Sequence, residues 1–459
     1  MKIRYWSALL FLLGTTTALS AQTLTLREAL THADGAAYQN RIAEGMVTAQ
    51  RGQAVGALRG ILPSVRLEGG FVRTDDPIGA FGTSLRQRAI TQSDFEPGRL
   101  NRPAPISNYQ GGAVVEQPIF NADAWIGRRA ASRGVTASEA SAGWTRLGTR
   151  VDVIRTYYGA TLAHEKIATL AAAARAAYAH VRQAEALVRQ GLATKSDALL
   201  ASIGAGEIDA QLADAEAEAR TAVRQLAVVL GNGSASAWEL PEQLPSAERI
   251  RAVIAADTLH AVASPRADVH AASLGLEAAR LDARRAHSLY LPRVNGIARY
   301  DWNSATRLYG GDKSWTIGVM ATWSPFTGAN ELAERQVTGG REDAARAMSE
   351  AAAERALLEM EQTGNTLRAA LARLAIAERA VQQGAEAHRI VTRKYEGGLA
   401  TVVELLDAAA VETKSALGLS AARYAVITAG AERHKALGRD PGALVALDEA
   451  SAPVAPPSR

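Results

Sequence analysis

The stretch "PRVNGIARYDWNSATRLYGGDKSWTIGVMATWS", residues 292–324, reads as two strands joined by a turn. In the first strand Val294, Gly296, Ala298, Tyr300 and Trp302 alternate with Arg293, Asn295, Arg299, Asp301 and Asn303, Ile297 being the exception on the polar side. In the second, Trp315, Ile317, Val319, Ala321 and Trp323 alternate with Ser314, Thr316, Thr322 and Ser324. Successive side chains of a strand point to opposite faces, so each strand carries one apolar and one polar face over about ten residues. The aromatics gather at the strand ends. Together these features suit membrane β-barrel strands with lipid on one side and water on the other. Two amphipathic hairpins on a soluble core would give the same alternation, but the flanking helices are too poor in large apolar residues to supply that core.

The hairpin has an echo upstream. Leu62-Pro63-Ser64-Val65 returns as Leu291-Pro292-Arg293-Val294. Val65, Leu67 and Phe71, then Tyr109, Gly111, Ala113 and Val115, repeat the alternation less clearly. Further along, Gly191-Leu192-Ala193-Thr194 returns as Gly398-Leu399-Ala400-Thr401, and the "VVLG" ending at Gly231 meets the "KALG" ending at Gly438. The chain is therefore two structural repeats, 22–231 and 264–438, each running helix, strand, strand, very long helix, tip, helix. The strands fall at about 64–74, 109–118, 292–303 and 314–324, and the tips at 190–197 and 396–404.

The first repeat opens with a capping box, Thr25 and Glu28, and the second with Ser264 as a cap before Pro265. Residues 232–263, with Pro241 and Pro245, read as a connector, and 439–459 as a disordered tail. The first copy carries an insertion, 75–108, rich in Pro, Gly and Arg, that suits an irregular exposed loop. The long helices span about 121–190 and 328–396; at 1.5 Å per residue each is about 100 Å long. Alanine-rich runs such as 171–177 let helices pack laterally as in a coiled coil.

Composition narrows the function. Aromatic residues make up 5%, cysteine is absent, and an ordinary compact core is not expected from 459 residues of this kind. Residues 1–21 read as a secretory signal: Lys2 and Arg4, an apolar run, then small residues around Ala18 to Ala21. Without cysteine there is neither a disulfide nor a lipidated N-terminal cysteine, and no later apolar run is long enough for a membrane helix, so any span must be a β-barrel. Four strands cannot close one, since the smallest membrane barrels have about eight. The chain must then oligomerise; a trimer closes twelve strands most simply, and a dimer stays open.

The formal charge of +4 argues for no nucleic-acid partner. No catalytic motif is present, and neither a cofactor nor a metal site is expected. The eight histidines, among them His164, His270 and His287, are scattered without ligand spacing and read as surface positions. Charge clusters such as Arg284-Arg285 and 350–355 read as solvated helix faces.

The signal, "TLTLREAL" after it, the two L-P-x-V strand entries, "EQPIFNADA", "WSPFTGANE" and the paired tips together resemble the TolC family of trimeric outer-membrane efflux ducts, from about Thr23 to Gly438. The resemblance implies a mainly α protein with a twelve-stranded barrel in the outer membrane of a Gram-negative bacterium, continuous with a long periplasmic α-helical tunnel. It implies no enzymatic activity, a homotrimer, contact with outer-membrane lipid, a periplasmic membrane-fusion adaptor, and an inner-membrane transporter of RND, ABC or MFS type. The function implied is the exit duct of a tripartite efflux system for drugs, toxic compounds or metal ions. An exit for type I protein secretion is the alternative within the duct class. Outside it stands a periplasmic coiled-coil scaffold, which leaves the four strands unexplained.

The resemblance also assigns residues. Gly191, Leu192, Ala193 and Thr194, with Gly398, Leu399, Ala400 and Thr401, are the adaptor-binding tips. Asp197 and Tyr395 match a closing network at the periplasmic entrance, joined by a phenol-to-carboxylate hydrogen bond. The arginine that usually completes this network is replaced by Ala400, which implies either a weaker latch than in relatives or one completed by another cation, with Lys195 as the candidate. Glu404 and Asp407, one helical turn apart, match inward-facing acidic residues at the constriction.

Overall fold

The computed structural model describes residues 23–232, 238–258 and 264–448. The signal expected at 1–21 and the last residues of the tail lie outside this set. The helices are α1 (Leu26–Ala36), α2 (Tyr38–Gly56), α3 (Pro77–Arg86), α4 (Pro97–Asn101), α5 (Ala122–Arg189), α6 (Lys195–Val229), α7 (Ala247–Thr258), α8 (Ala267–Ser288), α9 (Asn330–Glu396) and α10 (Val402–Ala436). The strands are β1 (Ser64–Thr74), β2 (Ile106–Phe120), β3 (Arg293–Ser304) and β4 (Asp312–Thr322). α5 and α9 have 68 and 67 residues. Among the described residues no helix is long and apolar enough to cross a membrane.

The chain divides into two compact units. One comprises Ile42–Thr145 and Pro265–Glu359 and contains the sheet; the other is formed by the segments up to Arg41, Arg146–Ser264 and from Met360 onward. The sheet is antiparallel in the order β1-β2-β3-β4. Its register lines up Leu67, Ala113, Tyr300 and Trp315 in one row, and Val65, Val115, Ala298 and Ile317 in the next. On the opposite face Arg66, Val114, Arg299 and Thr316 share a row, beside Glu68, Gly112, Asp301 and Ser314. β2 runs longer than the alternation suggests, and its register shifts between Pro118 and Phe120, where proline has no N–H to give the ladder.

The insertion is not the irregular loop its composition suggests. It folds as α3 and α4 with a 3-10 turn at Gln92–Phe95, because Asp76 caps the Gly79 amide at 2.7 Å and proline opens each helix. Gln87 of this segment donates to Asn108 at 2.9 Å, and Asn108 donates to Asn303 at 2.9 Å.

The helical unit has the conventional core that composition argues against. Leu26, Ile154, Tyr157, Tyr158, Leu226, Ile250, Leu374, Ile427 and Leu444 are almost completely buried together. Burying side chains of this size stabilises by about 1.5–3 kcal/mol each. Two of these residues come from segments expected to be unstructured. Ile250 lies on α7, within the connector, and Leu444 lies in a 3-10 helix, Pro441–Leu447, within the expected tail. The Asp448 carboxylate fastens that end, accepting from the Leu26 N–H at 2.9 Å and from the hydroxyls of Tyr157 and Tyr158 at 2.9 and 2.8 Å. Burial first, then the Asp448 charge, pushes both phenols well above the usual tyrosine range.

The Thr25–Glu28 capping box forms as expected. Ser264 does not cap α8; the helix starts at Ala267 with Arg266 at the cap. Arg266 is buried, paired with Asp268 and Glu359 at 2.8 and 2.6 Å, and stacked over the Trp144 ring at 4.5 Å.

Candidate functional site

Each tip is a helix stop followed by a helix start. α5 ends with Gly191 at φ +74°, where the Gly191 N–H reaches the Val188 carbonyl at 3.0 Å and the Leu192 N–H reaches Leu187 at 2.9 Å. α9 ends the same way: Gly398 has φ +70°, its N–H bonds Tyr395 at 3.0 Å, and the Leu399 N–H bonds Lys394 at 2.8 Å. This is the paired-bond stop that a left-handed glycine permits. The outgoing helices start with capping boxes. Thr194 caps the Asp197 amide while Asp197 accepts from the Thr194 N–H and hydroxyl at 2.8 and 2.9 Å. Thr401 caps the Glu404 amide while Glu404 accepts from the Thr401 N–H and hydroxyl at 2.7 and 3.0 Å.

The geometry projects one leucine from each tip. Leu192 is 74% and Leu399 82% exposed, whereas Ala193 and Ala400 are half-buried. Behind them, Ala184, Ala201, Tyr395, Val402 and Leu405 form a small cluster joining the two hairpins.

The phenol-to-carboxylate latch is not formed. The Asp197 carboxylate is held by Thr194, and the Tyr395 hydroxyl is buried without a hydrogen-bond partner. Burial, and then the nearby Asp197 charge, raises the Tyr395 phenol above its usual range. Glu404 and Asp407 are both exposed on α10. The Thr401 amide, then its hydroxyl, holds the Glu404 carboxyl below the usual glutamate range.

Sequence reasoning passed over the histidines, which do not all lie on the surface. His434 and His180 are buried, 2% and 8% exposed. His180 of α5 packs against His388 of α9, and Glu412 of α10 holds Nδ1 of His388. The only sequence signal is positional: His180 and His388 stand at nearly matching distances before the two tip glycines.

The sheet supplies the second candidate surface. Its apolar face is open, with Leu67, Ile317 and Val319 about 70% exposed, and neither β1 nor β4 has an outer neighbour among the described strands. The other face is polar and cross-linked: Arg299 pairs with Glu68 at 3.4 Å and Asp301 at 2.8 Å, and Asn295 donates to Glu116 at 3.1 Å. A concavity of about 520 Å³ lies on it, lined by Glu68, Gln110, Arg299, Asp301 and Asn303 among others.

The family model described as outer membrane efflux protein matches residues 43–232 and 258–439, which include the four strands and both helical hairpins. The chain belongs to the outer membrane efflux protein family. Members of this efflux family are transport ducts and not enzymes. No curated protein matches the chain.

Among solved structures it is similar to the outer membrane protein VceC of Vibrio cholerae, at 20% identity and TM-score 0.74, covering 90% of this chain and 96% of that one. It is also similar to the CmeC outer membrane channel of Campylobacter jejuni, at 16% identity and TM-score 0.73, covering 90% and 85%. A third is the MtrE outer membrane channel of Neisseria gonorrhoeae in its open state, at 18% identity and TM-score 0.70, covering 90% and 89%. At such identities the likeness carries the fold.

Proposed function

We propose that three copies of this chain close a twelve-stranded barrel in the outer membrane, and that the trimer is the exit duct of a tripartite system passing small molecules outward. The observation that carries this reading is the sheet: an exposed apolar face, an ion-paired polar face, and two unpaired edges in one chain. An open edge is an aggregation hazard unless paired, and closure into a barrel pairs every edge. The ion-paired face then lines water and the apolar face meets lipid.

The helical hairpins extend into the periplasm. Leu192 and Leu399 present the tips to a periplasmic adaptor, which joins the duct to an inner-membrane pump. The entrance lies beside Tyr395, Glu404 and Asp407, and six carboxylates from the last two residues of three chains favour cations there. Extraction of the outer membrane in mild detergent should yield heat-modifiable trimers that conduct in planar bilayers. Recovery of monomers in the soluble periplasmic fraction would overturn the reading. Deletion of the gene should lower resistance to pumped compounds; loss of a secreted protein with resistance intact would move the duct to protein secretion.

A further inference from the structure

The two hairpins meet at a pair of histidines about three turns of helix before the tip glycines. The rings of His180 and His388 pack edge to face with centroids 5.5 Å apart. Nε2 of each ring is buried and has no hydrogen-bond partner. A carboxylate can only accept, so the contact with Glu412 places the proton of His388 on Nδ1 and leaves its Nε2 bare. Glu412 can balance one imidazolium; no carboxylate is in hydrogen-bond contact with the second ring. Nearer the tip the hairpins are joined by the cluster of Ala184, Ala201, Tyr395, Val402 and Leu405.

We propose that this pair is an acid-sensitive seam: as pH falls, the buried His180 imidazole gains a charge that no contacting carboxylate balances, and the first hairpin separates from the second at its tip. A charged imidazole is costly in a poorly hydrated seam, and separation hydrates it. The groups around His180 set the direction. Burial disfavours its charged form and His388 adds to that, while Gln183 on the same helix and Glu396 at the end of α9 oppose; the balance lies below the usual histidine value. A group that binds its proton more weakly in the closed seam than in the open one shifts the equilibrium toward the open form as pH falls. The closed seam is therefore complete above the ordinary histidine pKa of about 6.5 and gives way below it. That the separation widens a passage rests on the duct reading; the separation itself does not.

The chain has no cysteine, so Arg189→Cys and Arg393→Cys, on the last exposed turns of α5 and α9, accept one spin label per hairpin. In full-length protein diluted with unlabelled chains, the label-to-label distance should grow by several ångströms between about pH 7.5 and 5.5, spanning the ordinary histidine value. His180→Gln should hold it at the neutral-pH distance throughout. A wild-type distance unchanged with pH, or a transition that survives His180→Gln, would overturn the seam. The labels report whether or not the chain conducts, so a pH-dependent distance in a protein that fails to conduct would strike the duct reading alone.

Discussion

The two hairpin tips stop and restart their helices alike and differ in the residues set around that frame. Both stop a long helix with a left-handed glycine, project a leucine, tuck in an alanine and restart on a threonine with an acid three residues on. The residue three before the glycine is the half-buried Val188 at the first tip and the buried Tyr395 at the second. The residue nine after it is Leu200 at the first and Asp407 at the second. What repeats is what helix termination demands in both places. Asp197 and Glu404 therefore have a sufficient reason to be acidic in capping alone, whereas Tyr395 and Asp407 have no counterpart at the first tip.

The largest effect should come from the shared stop. Tryptophan at either glycine, Gly191→Trp or Gly398→Trp, puts a bulky side chain on a left-handed residue, costing roughly 1–2 kcal/mol in backbone strain alone, and places its bulk on the docking surface. Each should abolish efflux while trimers still assemble on gels; efflux retained at one tip but not the other would show that the tips are not equivalent partners. Next comes charge. Glu404→Ala with Asp407→Ala should remove most cation selectivity in reversal-potential measurements, with Asp407→Ala accounting for the larger share and Asp197→Ala leaving selectivity unchanged. An equal share for Asp197 would erase the distinction between the tips.

Smaller effects test the shared cap. Thr194→Ala and Thr401→Ala should each weaken the restart by about 1 kcal/mol, seen as faster amide exchange in the first turns of α6 and α10. Because the capped Glu404 carboxyl sits below its usual range, its contribution is full above about pH 4.5 and fades as pH falls through the lowered value. Glu404→Gln should make exchange at the second tip insensitive to pH in that range. The smallest change should follow Tyr395→Phe. Its hydroxyl has no partner to lose, so stability should move by less than about 0.5 kcal/mol and conductance not at all. A clear rise in conductance would restore the latch that the geometry lacks.

Much of this architecture is written in local patterns. The alternation around Tyr300 and Trp315 places residues on faces correctly because strand geometry depends on neighbours two apart, and the glycine-threonine spacing locates both tips because stops and caps are local chemistry. What escapes such reading is set by distant partners. α7 and the 3-10 helix after Pro441 look like connector and tail, yet Ile250 and Leu444 find a hydrophobic core supplied by five other segments. Arg266 displaces the expected serine cap through Glu359, ninety-three residues away in sequence. The histidine pair has no motif at all; it exists only because two helices from different repeats run side by side.

The fastening at Asp448 has a consequence for how such a chain can fold. The Leu26 amide and the Asp448 carboxylate that accepts from it are separated by 422 residues, and Tyr158 reaches the same carboxylate across 290. Contacts between such remote parts of a chain form late, because the loop between them must close first. The helical core therefore closes fully only once the Pro441–Leu447 segment and Asp448 have been made. A ribosome that stalls before Pro441 leaves both tyrosines and the start of α1 without their acceptor, a chain suited to degradation rather than assembly.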